Sequence, residues 1–391
     1  MKHLLLFLSI IITSTNVVAM KSNTLISIGL MSGTSMDGID AALIKTNGDD
    51  IIEEISSISI PYTSDIKHKL KDAEAKIRAN PSINPEEITA LSTSLHIEAV
   101  RALLKKSGYS AKDIDVIGYH GQTMYHNPEK KISIILGDGA AMAKELGITV
   151  VNDFRRNDIE LGGRGAPFAP IYHLALAKRD NKIPVAVVNC GGIANITIIP
   201  DDNPAHMIAY DTGTGNGLVD RLVRARTGGK EHMDENGKYG IKGKVHEDIL
   251  KLLYAKSTFK NGKNFFDTNG PKALDINDMQ LIPALENLSI EDACRTLEAF
   301  TADSIVHNLN PIPQNWILAG GGWNNPIILS ELKARLPGAN VITADEAGWD
   351  GTALEAQIFA YMAVRSLKGL PLSFPNTTGV PKPTCGGVAH Q

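Results

Sequence analysis

The chain has 391 residues, of which 43% are hydrophobic and 21% charged, and its formal net charge at pH 7 is −4. These values are typical of a globular protein with two domains or one large bilobal unit, because a single simple core rarely extends to this length. A small negative charge without a block of Lys or Arg gives no electrostatic reason to expect a nucleic-acid partner. The three cysteines are odd in number and far apart, which argues against a disulfide framework and a CxxC-type metal site.

The N-terminal segment, residues 1–22, allows two interpretations. It begins with Met1-Lys2-His3, continues with a short apolar run and ends with small residues, as a secretory signal does. The run is too short to span a membrane. The alternative is that Met20 is the true start and that the preceding residues are upstream sequence.

The predicted elements repeat one design along the chain. Strands are predicted at residues 24–30, 38–44 and 51–60, helices at 64–79 and 85–106, strands at 114–118, 132–136 and 148–152, and a short helix at 140–146. The second series has strands at 184–189, 193–199, 207–210 and 316–319, a helix at 217–226, and helices around Ile327 and Ala353. This order predicts an α/β fold with mixed sheets, in two similar domains that face a cleft. We place lobe 1 at residues 23–155, with its completion by 366–391 left open, and lobe 2 at 156–365.

Three glycine-rich turns each follow an apolar strand, at residues 31–38, 189–195 and 319–325. Glycine lets backbone amides approach an anion closely, and successive N–H groups form a nest for phosphate oxygens. One such turn is usually a plain hairpin, but three at equivalent places in a duplicated fold favour phosphate binding. The chain has no P-loop and no G-x-G-x-x-G that opens a helix after the first strand, and the glycines of residues 213–217 have the wrong spacing.

Several polar side chains follow predicted strands. Asp211 is either a carboxylate that projects from a strand end or a residue that starts a turn or caps the next helix. Glu355, among apolar neighbours, is either a surface residue or a buried polar group with a partner. Two further polar stretches are YHGQTMYH, at residues 119–126, and NDFRRNDIELGGRGAP, at residues 152–167. Two histidines six residues apart do not have a metal-site spacing.

Seven motifs taken together resemble the anhydro-N-acetylmuramic acid kinase family. They are GLMSGTSMDGID, HGQT, DFR…D…GGRGAPFAP, NCGGIAN, YDTGTGN, AGGGWNNP and the EA of ALEAQIFA, and they follow the family's order over residues 26–381. The resemblance implies the fold of sugar kinases, actin and heat-shock ATPases, with two ribonuclease-H-like lobes around an ATP cleft. It also implies a reaction of peptidoglycan recycling and amino-sugar metabolism. Water attacks C1 of 1,6-anhydro-N-acetylmuramate while O6 takes the γ-phosphoryl group of ATP, which gives N-acetylmuramate 6-phosphate and ADP.

The resemblance further implies roles for individual residues. Asp211 would be the base that activates water, Glu355 a catalytic glutamate near the sugar, and Gln122, Thr123 and Arg155 would line the sugar. The groups expected to contact ATP are Gly33, Thr34, Ser35, Met36, Asp37, Gly38, Ile39, Asp40, Gly191, Gly192, Gly320, Gly321 and Gly322. Mg²⁺ would bridge the phosphates without a dedicated protein site. Asp37 is left open between a turn stabiliser and a ligand to the water shell of the metal.

The expected partners are ATP and the anhydro sugar, with no nucleic acid and no stable membrane partner, and a homodimer is left open. ATP is cytosolic, so the resemblance favours a cytoplasmic protein that starts at Met20. The alternatives are an exported, non-catalytic sugar-binding protein on the same fold and a kinase of another sugar. One departure from the family follows Pro271-Lys272, where ALDIND replaces a Ser/Thr-Gly-Arg-Glu-like stretch.

Overall fold

The structure is a computed structural model that describes residues 24–258, 262–268, 270–274 and 278–391. The signal-like segment predicted at residues 1–22 lies outside these ranges. Within them, no helix combines the length and the apolar character needed to cross a membrane.

The strands and helices of the described residues alternate in an α/β pattern. The strands are β1 Leu25–Ser32, β2 Gly38–Thr46, β3 Ile52–Pro61, β4 Val116–Asn127, β5 Ile132–Leu136, β6 Val150–Asn152, β7 Val185–Cys190, β8 Ala194–Ile199, β9 Ile208–Gly213, β10 Asn315–Ala319, β11 Asn340–Thr343 and β12 Val388–His390. The α-helices are Ser64–Ala79, Glu86–Ser107, Gly139–Leu146, Arg156–Glu160, Ala169–Arg179, Gly217–Arg226, Glu247–Lys256, Ile290–Val306, Pro326–Arg335, Leu354–Leu367 and Pro375–Thr378.

The chain divides into two compact units. Unit 1 comprises the described residues up to Gly165 together with Ala353–Ser373 and Pro383–Gln391, and unit 2 comprises Ala166–Thr352 and Phe374–Lys382. The lobe limits predicted from the sequence fall at 155/156 and 365/366. Those limits assign Glu355 to lobe 2, whereas in the structure it lies in unit 1, within Ala353–Ser373.

Unit 1 is built on a sheet with the strand order β12-β6-β4-β1-β2-β3, and β5 pairs with β4. β2 is antiparallel to both β1 and β3, whereas β4 runs parallel to β1 and β6 parallel to β4. The Leu354–Leu367 helix packs closely on this sheet because Gly29 and Gly118, neighbours in β1 and β4, have no side chains. A Cβ at Gly29 would lie 1.8 Å from the Ala356 carbonyl oxygen, and one at Gly118 1.9 Å from that of Phe359.

Unit 2 has a five-stranded sheet in the order β11-β10-β7-β8-β9. β8 is antiparallel to both β7 and β9, while β10 and β11 run parallel to β7. The carboxyl ends of β7, β9 and β10 therefore share one edge of the sheet. Apolar side chains such as Val188, Ile196 and Trp316 form the core beneath it.

The two sheets have the same connectivity. In each, three antiparallel strands follow one another, and two further parallel strands lie on the other side of the first. This is the ribonuclease-H-like order, and it confirms the predicted α/β fold with two similar lobes.

One local prediction was wrong. The YHGQTMYH stretch does not follow a strand but lies inside β4, because β5 pairs with residues 122–127 and extends that strand. The charged stretch after β6 contains the short helix Arg156–Glu160.

Candidate functional site

The turn between β1 and β2 exposes its hydroxyl groups. Thr34 and Ser35 are exposed, while Met36 has a φ of +54° and a buried side chain. The Met36 N–H donates to the Gly33 carbonyl at 3.1 Å, which closes the turn. A Cβ at Gly33 would meet nothing nearer than Ser35 Oγ at 3.8 Å, so packing does not require glycine there. The space beside this backbone fits the approach of a ligand.

The next predicted phosphate contacts, Gly38 and Ile39, lie at the start of β2. A Cβ at Gly38 would lie 2.3 Å from the Ile60 carbonyl oxygen, so the pairing of β2 with β3 explains this glycine. The Ile39 side chain is in the core of unit 1. These two positions serve the fold, and any contact of Met36 or Ile39 with ATP would involve the backbone.

The two aspartates of the motif have different surroundings. Asp37 is exposed and pairs with Lys67 at 3.3 Å, a surface ion pair of the kind that contributes little to stability. Asp40 is partly buried within β2 and accepts a hydrogen bond from Ser59 Oγ at 2.5 Å across to β3. The Asp40 side chain is thus tied to the sheet, whereas the Asp37 side chain pairs with a surface lysine.

Gln122 fixes the phosphate turn. Its Nε2 donates to the Gly33 carbonyl at 2.7 Å, and its Oε1 accepts from Ser32 Oγ at 2.5 Å. The Tyr62 hydroxyl lies 2.8 Å from the same Ser32 oxygen, and all of these side chains are buried. Thr123 is the adjacent, largely buried residue of β4. The amide of Gln122 therefore has protein partners, and Ser32 and Tyr62 are positioning groups that the sequence did not reveal.

Arg155 is held by a chain of hydrogen bonds within unit 1. His120 Nδ1 lies 2.8 Å from the Gly121 carbonyl, which can only accept, so this nitrogen carries the proton. His120 Nε2 is then the acceptor for Arg155, at 2.9 Å from Nη2 and 3.2 Å from Nε. Arg155 Nη1 also donates to the Gly165 carbonyl at 2.6 Å, and the Gly165 N–H donates to the buried Asp158 carboxylate at 2.6 Å. Burial and, less strongly, Arg155 lower the pKa of His120 well below its ordinary value, which keeps this histidine neutral.

Glu355 stands in the first turn of the Leu354–Leu367 helix. Solvent reaches its side chain, but the protein crowded around the carboxyl raises its pKa through desolvation. The nearby Asp40 carboxylate raises the pKa further, and Arg155 opposes both. Burial in turn lowers the pKa of Arg155 to about 10, so the guanidinium stays charged at neutral pH. Unit 1 thus brings Asp40, Arg155 and Glu355 within electrostatic reach of one another.

In unit 2, two glycine turns pack backbone against backbone. Gly215 has a φ of +48°, and a Cβ there would lie 2.1 Å from the Gly191 carbonyl oxygen. A Cβ at Gly217 would lie 2.5 Å from the carbonyl oxygen of Gly192, to which the Gly217 N–H donates at 3.2 Å. Residues 213–217, rejected above as a nucleotide signature, therefore belong with the predicted phosphate turn.

The third turn packs against the same backbone. A Cβ at Gly320 would lie 2.5 Å from the Cys190 carbonyl oxygen, and one at Gly322 2.5 Å from Cys190 Sγ. By contrast, no atom lies within 4 Å of the Cβ position at Gly321, and at Gly191 the nearest is 3.9 Å away. Gly191 and Gly321 therefore resemble Gly33, since each is a glycine that packing does not explain.

Buried polar atoms accompany these turns. Thr214 Oγ1 and Asn216 Oδ1 are buried, and neither has a hydrogen-bond partner among the residues that the structure describes. Asn216 Nδ2 donates to Asp220 Oδ2 at 3.1 Å, and burial raises the pKa of Asp220 to about 6. A narrow cleft lies here at the start of the Gly217–Arg226 helix, where backbone amides favour an anion. It is lined by Gly192, Ile193, Thr214, Gly217, Leu218, Arg221 and Leu274.

Asp211 lies in β9, near the sheet edge that carries these turns. Its Oδ2 accepts from the Leu274 N–H at 2.8 Å, and its own N–H donates to the Lys272 carbonyl at 3.0 Å. Asp211 does not cap the next helix, because the N-cap of that helix is Asn216. Of the alternatives considered for Asp211, the helix cap is wrong, and the carboxylate is oriented by a distant segment of the chain.

The comparisons with known proteins agree with the motif series. The family model described as anhydro-N-acetylmuramic acid kinase matches residues 25–391. A protein of that name from Rhizorhabdus wittichii is 43% identical over 94% of this chain and 99% of its own length. Another of that name from Zymomonas mobilis is 42% identical over 94% of this chain and all of its own length. Among solved structures, component A of the (R)-2-hydroxyglutaryl-CoA dehydratase of Acidaminococcus fermentans aligns with a TM-score of 0.44 and 12% identity, over 87% of this chain and 99% of that one.

Proposed function

This chain belongs to the anhydro-N-acetylmuramic acid kinase family, and we propose that it opens 1,6-anhydro-N-acetylmuramate and phosphorylates O6 with ATP. The family confirms the prediction of a kinase that uses ATP and acts in peptidoglycan recycling. The observation that carries the mechanistic proposal is the position of Asp211. Its carboxylate is fixed by the Leu274 N–H at 2.8 Å, on the same sheet as the glycine turns of unit 2.

The reaction combines hydrolysis with phosphoryl transfer. The Asp211 carboxylate takes a proton from water, and the water oxygen forms the new bond to C1 of the sugar. The C1–O6 bond breaks, O6 attacks the γ-phosphorus, and the bond from that phosphorus to the β–γ bridging oxygen breaks to release ADP. A positioned carboxylate base contributes about 10²–10⁴-fold to such a step.

Unit 1 would orient the sugar. We assign Arg155 to the sugar because its guanidinium is charged and is held rigidly by His120 and Gly165. Glu355 would contact a sugar hydroxyl, which a carboxyl with a raised pKa can do as either donor or acceptor. Thr123 remains a predicted sugar contact, and Gln122 would act mainly by fixing the phosphate turn.

The residues present fit ATP. Gly33, Gly191 and Gly321 have no packing neighbour that requires glycine, which is expected where phosphate oxygens approach the backbone. The buried Thr214 Oγ1 and Asn216 Oδ1 supply polar groups beside the second turn. Mg²⁺, when bound, would neutralise charge on the phosphates, and the exposed Asp37 is the carboxylate that we assign to its water shell. Because the reaction consumes ATP, we propose the cytoplasm as its location.

The test is mass spectrometry of the product formed in ¹⁸O-water from ATP and the anhydro sugar. We expect one ¹⁸O atom at C1 and none in the phosphate group. Unlabelled product incubated alone in ¹⁸O-water is the control for exchange at the anomeric carbon. Label in free inorganic phosphate without sugar phosphate would mean simple ATP hydrolysis, and the proposal would be wrong.

A further inference from the structure

Lys272 is a buried cation next to the proposed base. Only 8% of its surface is exposed, and its Nζ lies 4.1 Å from the centroid of the Phe265 ring and 5.3 Å from that of Tyr210. Nζ donates to the Phe265 carbonyl at 3.0 Å and to the Thr268 carbonyl at 2.6 Å. Burying an ammonium group costs desolvation free energy. The hydrogen bonds and cation–π contacts of Lys272 must therefore stabilise the folded chain enough to offset that cost.

The backbone around Lys272 supports Asp211 from two sides. The Lys272 carbonyl accepts from the Asp211 N–H at 3.0 Å, and the Leu274 N–H donates to Asp211 Oδ2 at 2.8 Å. Residues 270–274 thus run beside β9 at the position of the proposed base. Neither of these two hydrogen bonds involves the lysine side chain. The side chain can therefore affect them only by fixing the backbone conformation of residues 270–274.

The side chain of Lys272 holds this segment in place. By binding the carbonyls of Phe265 and Thr268, it ties residues 270–274 to residues 265–268 and fixes the course of the chain just before Leu274. A methionine of similar length would fill the space between the rings but would donate to neither carbonyl.

We propose that Lys272 is a positioning residue for Asp211, because its ammonium group holds residues 270–274 to the carbonyls of Phe265 and Thr268 so that the Leu274 N–H stays on the Asp211 carboxylate. The inference rests on the proposed role of Asp211 as the base. It assigns a role to the lysine that directly precedes the stretch at which the sequence departs from the family.

The electrostatics agree with this geometry. Burial lowers the pKa of Lys272 to about 8, and the Asp211 carboxylate opposes that shift, so the two groups interact. His307 is a second titratable group that interacts with Lys272, although burial contributes most to its lowered pKa. At pH 7 the lysine is mainly charged, and its two carbonyl partners receive strong hydrogen bonds.

The first test compares Lys272→Met with Lys368→Met. Lys368, in unit 1, also donates to a backbone carbonyl, that of Asn47 at 2.9 Å, and burial also lowers its pKa. For Lys272→Met we expect kcat to fall by about tenfold to hundredfold, with the KM for ATP nearly unchanged. Loss of the Leu274 donor should also move the acid limb of the kcat profile to higher pH, because that bond favours the charged carboxylate. Lys368→Met should change neither quantity.

The second test needs no turnover. We expect the Leu274 amide hydrogen to exchange slowly in the wild-type protein and about tenfold to hundredfold faster in Lys272→Met, while amides of β7 and β10 keep their protection. In Lys272→Arg, which retains a cation, the Leu274 amide hydrogen should exchange more slowly than in Lys272→Met. Lys272→Arg replaces Lys272→Met in the comparison with the wild type if Lys272→Met does not fold.

The inference is overturned if kcat stays within twofold, if kcat falls without a shift of the acid limb, or if exchange at Leu274 is unchanged. A wild-type protein that forms no sugar phosphate would refute the proposed function instead. The exchange measurement would still decide whether Lys272 holds the segment.

Discussion

In unit 1, the turn after the first strand is fixed by side chains, whereas in unit 2 the equivalent turn is fixed by backbone. Gln122 and Ser32 hold the β1–β2 turn through hydrogen bonds of 2.5–2.7 Å. The β7–β8 turn is instead enclosed by Gly215, Gly217 and Gly320, each of which leaves no room for a Cβ. One strand order therefore supports two different ways of presenting a turn to a ligand. We expect substitutions in unit 1 to alter catalysis more than folding, and glycine substitutions in unit 2 to alter both.

The substitution with the largest expected effect removes the proposed base of unit 2, the Asp211 carboxylate, and leaves its surroundings intact. Asp211→Asn keeps the shape of the side chain and an acceptor for the Leu274 N–H but removes the base. We expect kcat to fall by about 10²–10⁴-fold with nucleotide affinity within a few-fold of the wild type. ADP release and calorimetric titration with ATP measure the two quantities.

Asp201→Asn is the matched control, since this exposed carboxylate of unit 2 pairs with His206 at 2.7 Å on the surface. It should leave kcat unchanged. If Asp211→Asn kept more than a tenth of the wild-type kcat, another group would have to be the base.

The second prediction concerns the backbone packing of unit 2. Gly215→Ala places a Cβ 2.1 Å from the Gly191 carbonyl oxygen in a residue with a φ of +48°. Strain and overpacking should together lower the free energy of unfolding by about 2–4 kcal/mol and weaken ATP binding. Thermal unfolding and calorimetry report these changes.

Gly228→Ala separates the two causes. Gly228 has a φ of +62°, and no atom lies within 4 Å of its Cβ position, so only the backbone term of about 1–2 kcal/mol applies. Equal losses in the two variants would show that the close approach to Gly191 has no energetic role.

The third prediction tests the side-chain network of unit 1. Arg155→Lys keeps the charge but cannot donate to His120 and Gly165 together in the geometry of a guanidinium group. We expect kcat/KM for the anhydro sugar to fall by about tenfold, equivalent to about 1.4 kcal/mol, with stability nearly unchanged. Steady-state kinetics with varied sugar measure the effect.

Arg156→Lys is the neighbouring control. Arg156 is exposed and pairs with Asp153 at 2.6 Å, and such surface pairs contribute little. A loss of kcat/KM as large as that of Arg155→Lys would mean that the effect does not arise from the hydrogen bonds of Arg155 to His120 and Gly165, and the prediction would be wrong.

Local patterns predicted most of the fold. The β-branched runs bounded by glycine gave the first three strands of each sheet, because alternation and turn residues are local signals. The short strands β11 and β12 were missed, since four and three residues carry too little pattern to distinguish an edge strand from a loop. β4 was predicted too short because its polar second half is a strand only through pairing with β5.

The candidate site was less predictable, because its support is not local. The Leu274 N–H that orients Asp211 comes from a residue 63 positions later in the chain. Gln122 was predicted from a motif, but its partners Ser32 and Gly33 lie 90 and 89 positions away. Motifs identify which side chains matter, whereas the tertiary structure determines which atoms hold them in place.

The smallest expected effect concerns a buried carboxyl of unit 2 that lies apart from Asp211. Burial and, less strongly, the nearby Asp234 carboxylate raise the pKa of Glu298 from 4.5 to about 8, although Asn325 Nδ2 donates to the carboxyl at 2.7 Å. The folded protein therefore binds this proton more tightly than the unfolded chain does. Its stabilising contribution is fully present below pH 4.5 and is lost as the pH rises through about 8. The melting temperature of unit 2 should fall accordingly between pH 6 and pH 9.

Glu298→Gln isolates this contribution, because glutamine keeps an acceptor for Asn325 and cannot ionise. We expect its melting temperature to fall less than that of the wild type over the same pH range, by a difference of about 3–6 °C. Glu247→Gln, an exposed position at the start of the Glu247–Lys256 helix, should follow the wild type. Parallel melting curves for Glu298→Gln and the wild type would mean that Glu298 ionises equally in the folded and unfolded chains. Hydrogen bonding alone, without a contribution from ionisation, would then account for the stabilising effect of Glu298 in unit 2, as it does for Gln122 in unit 1.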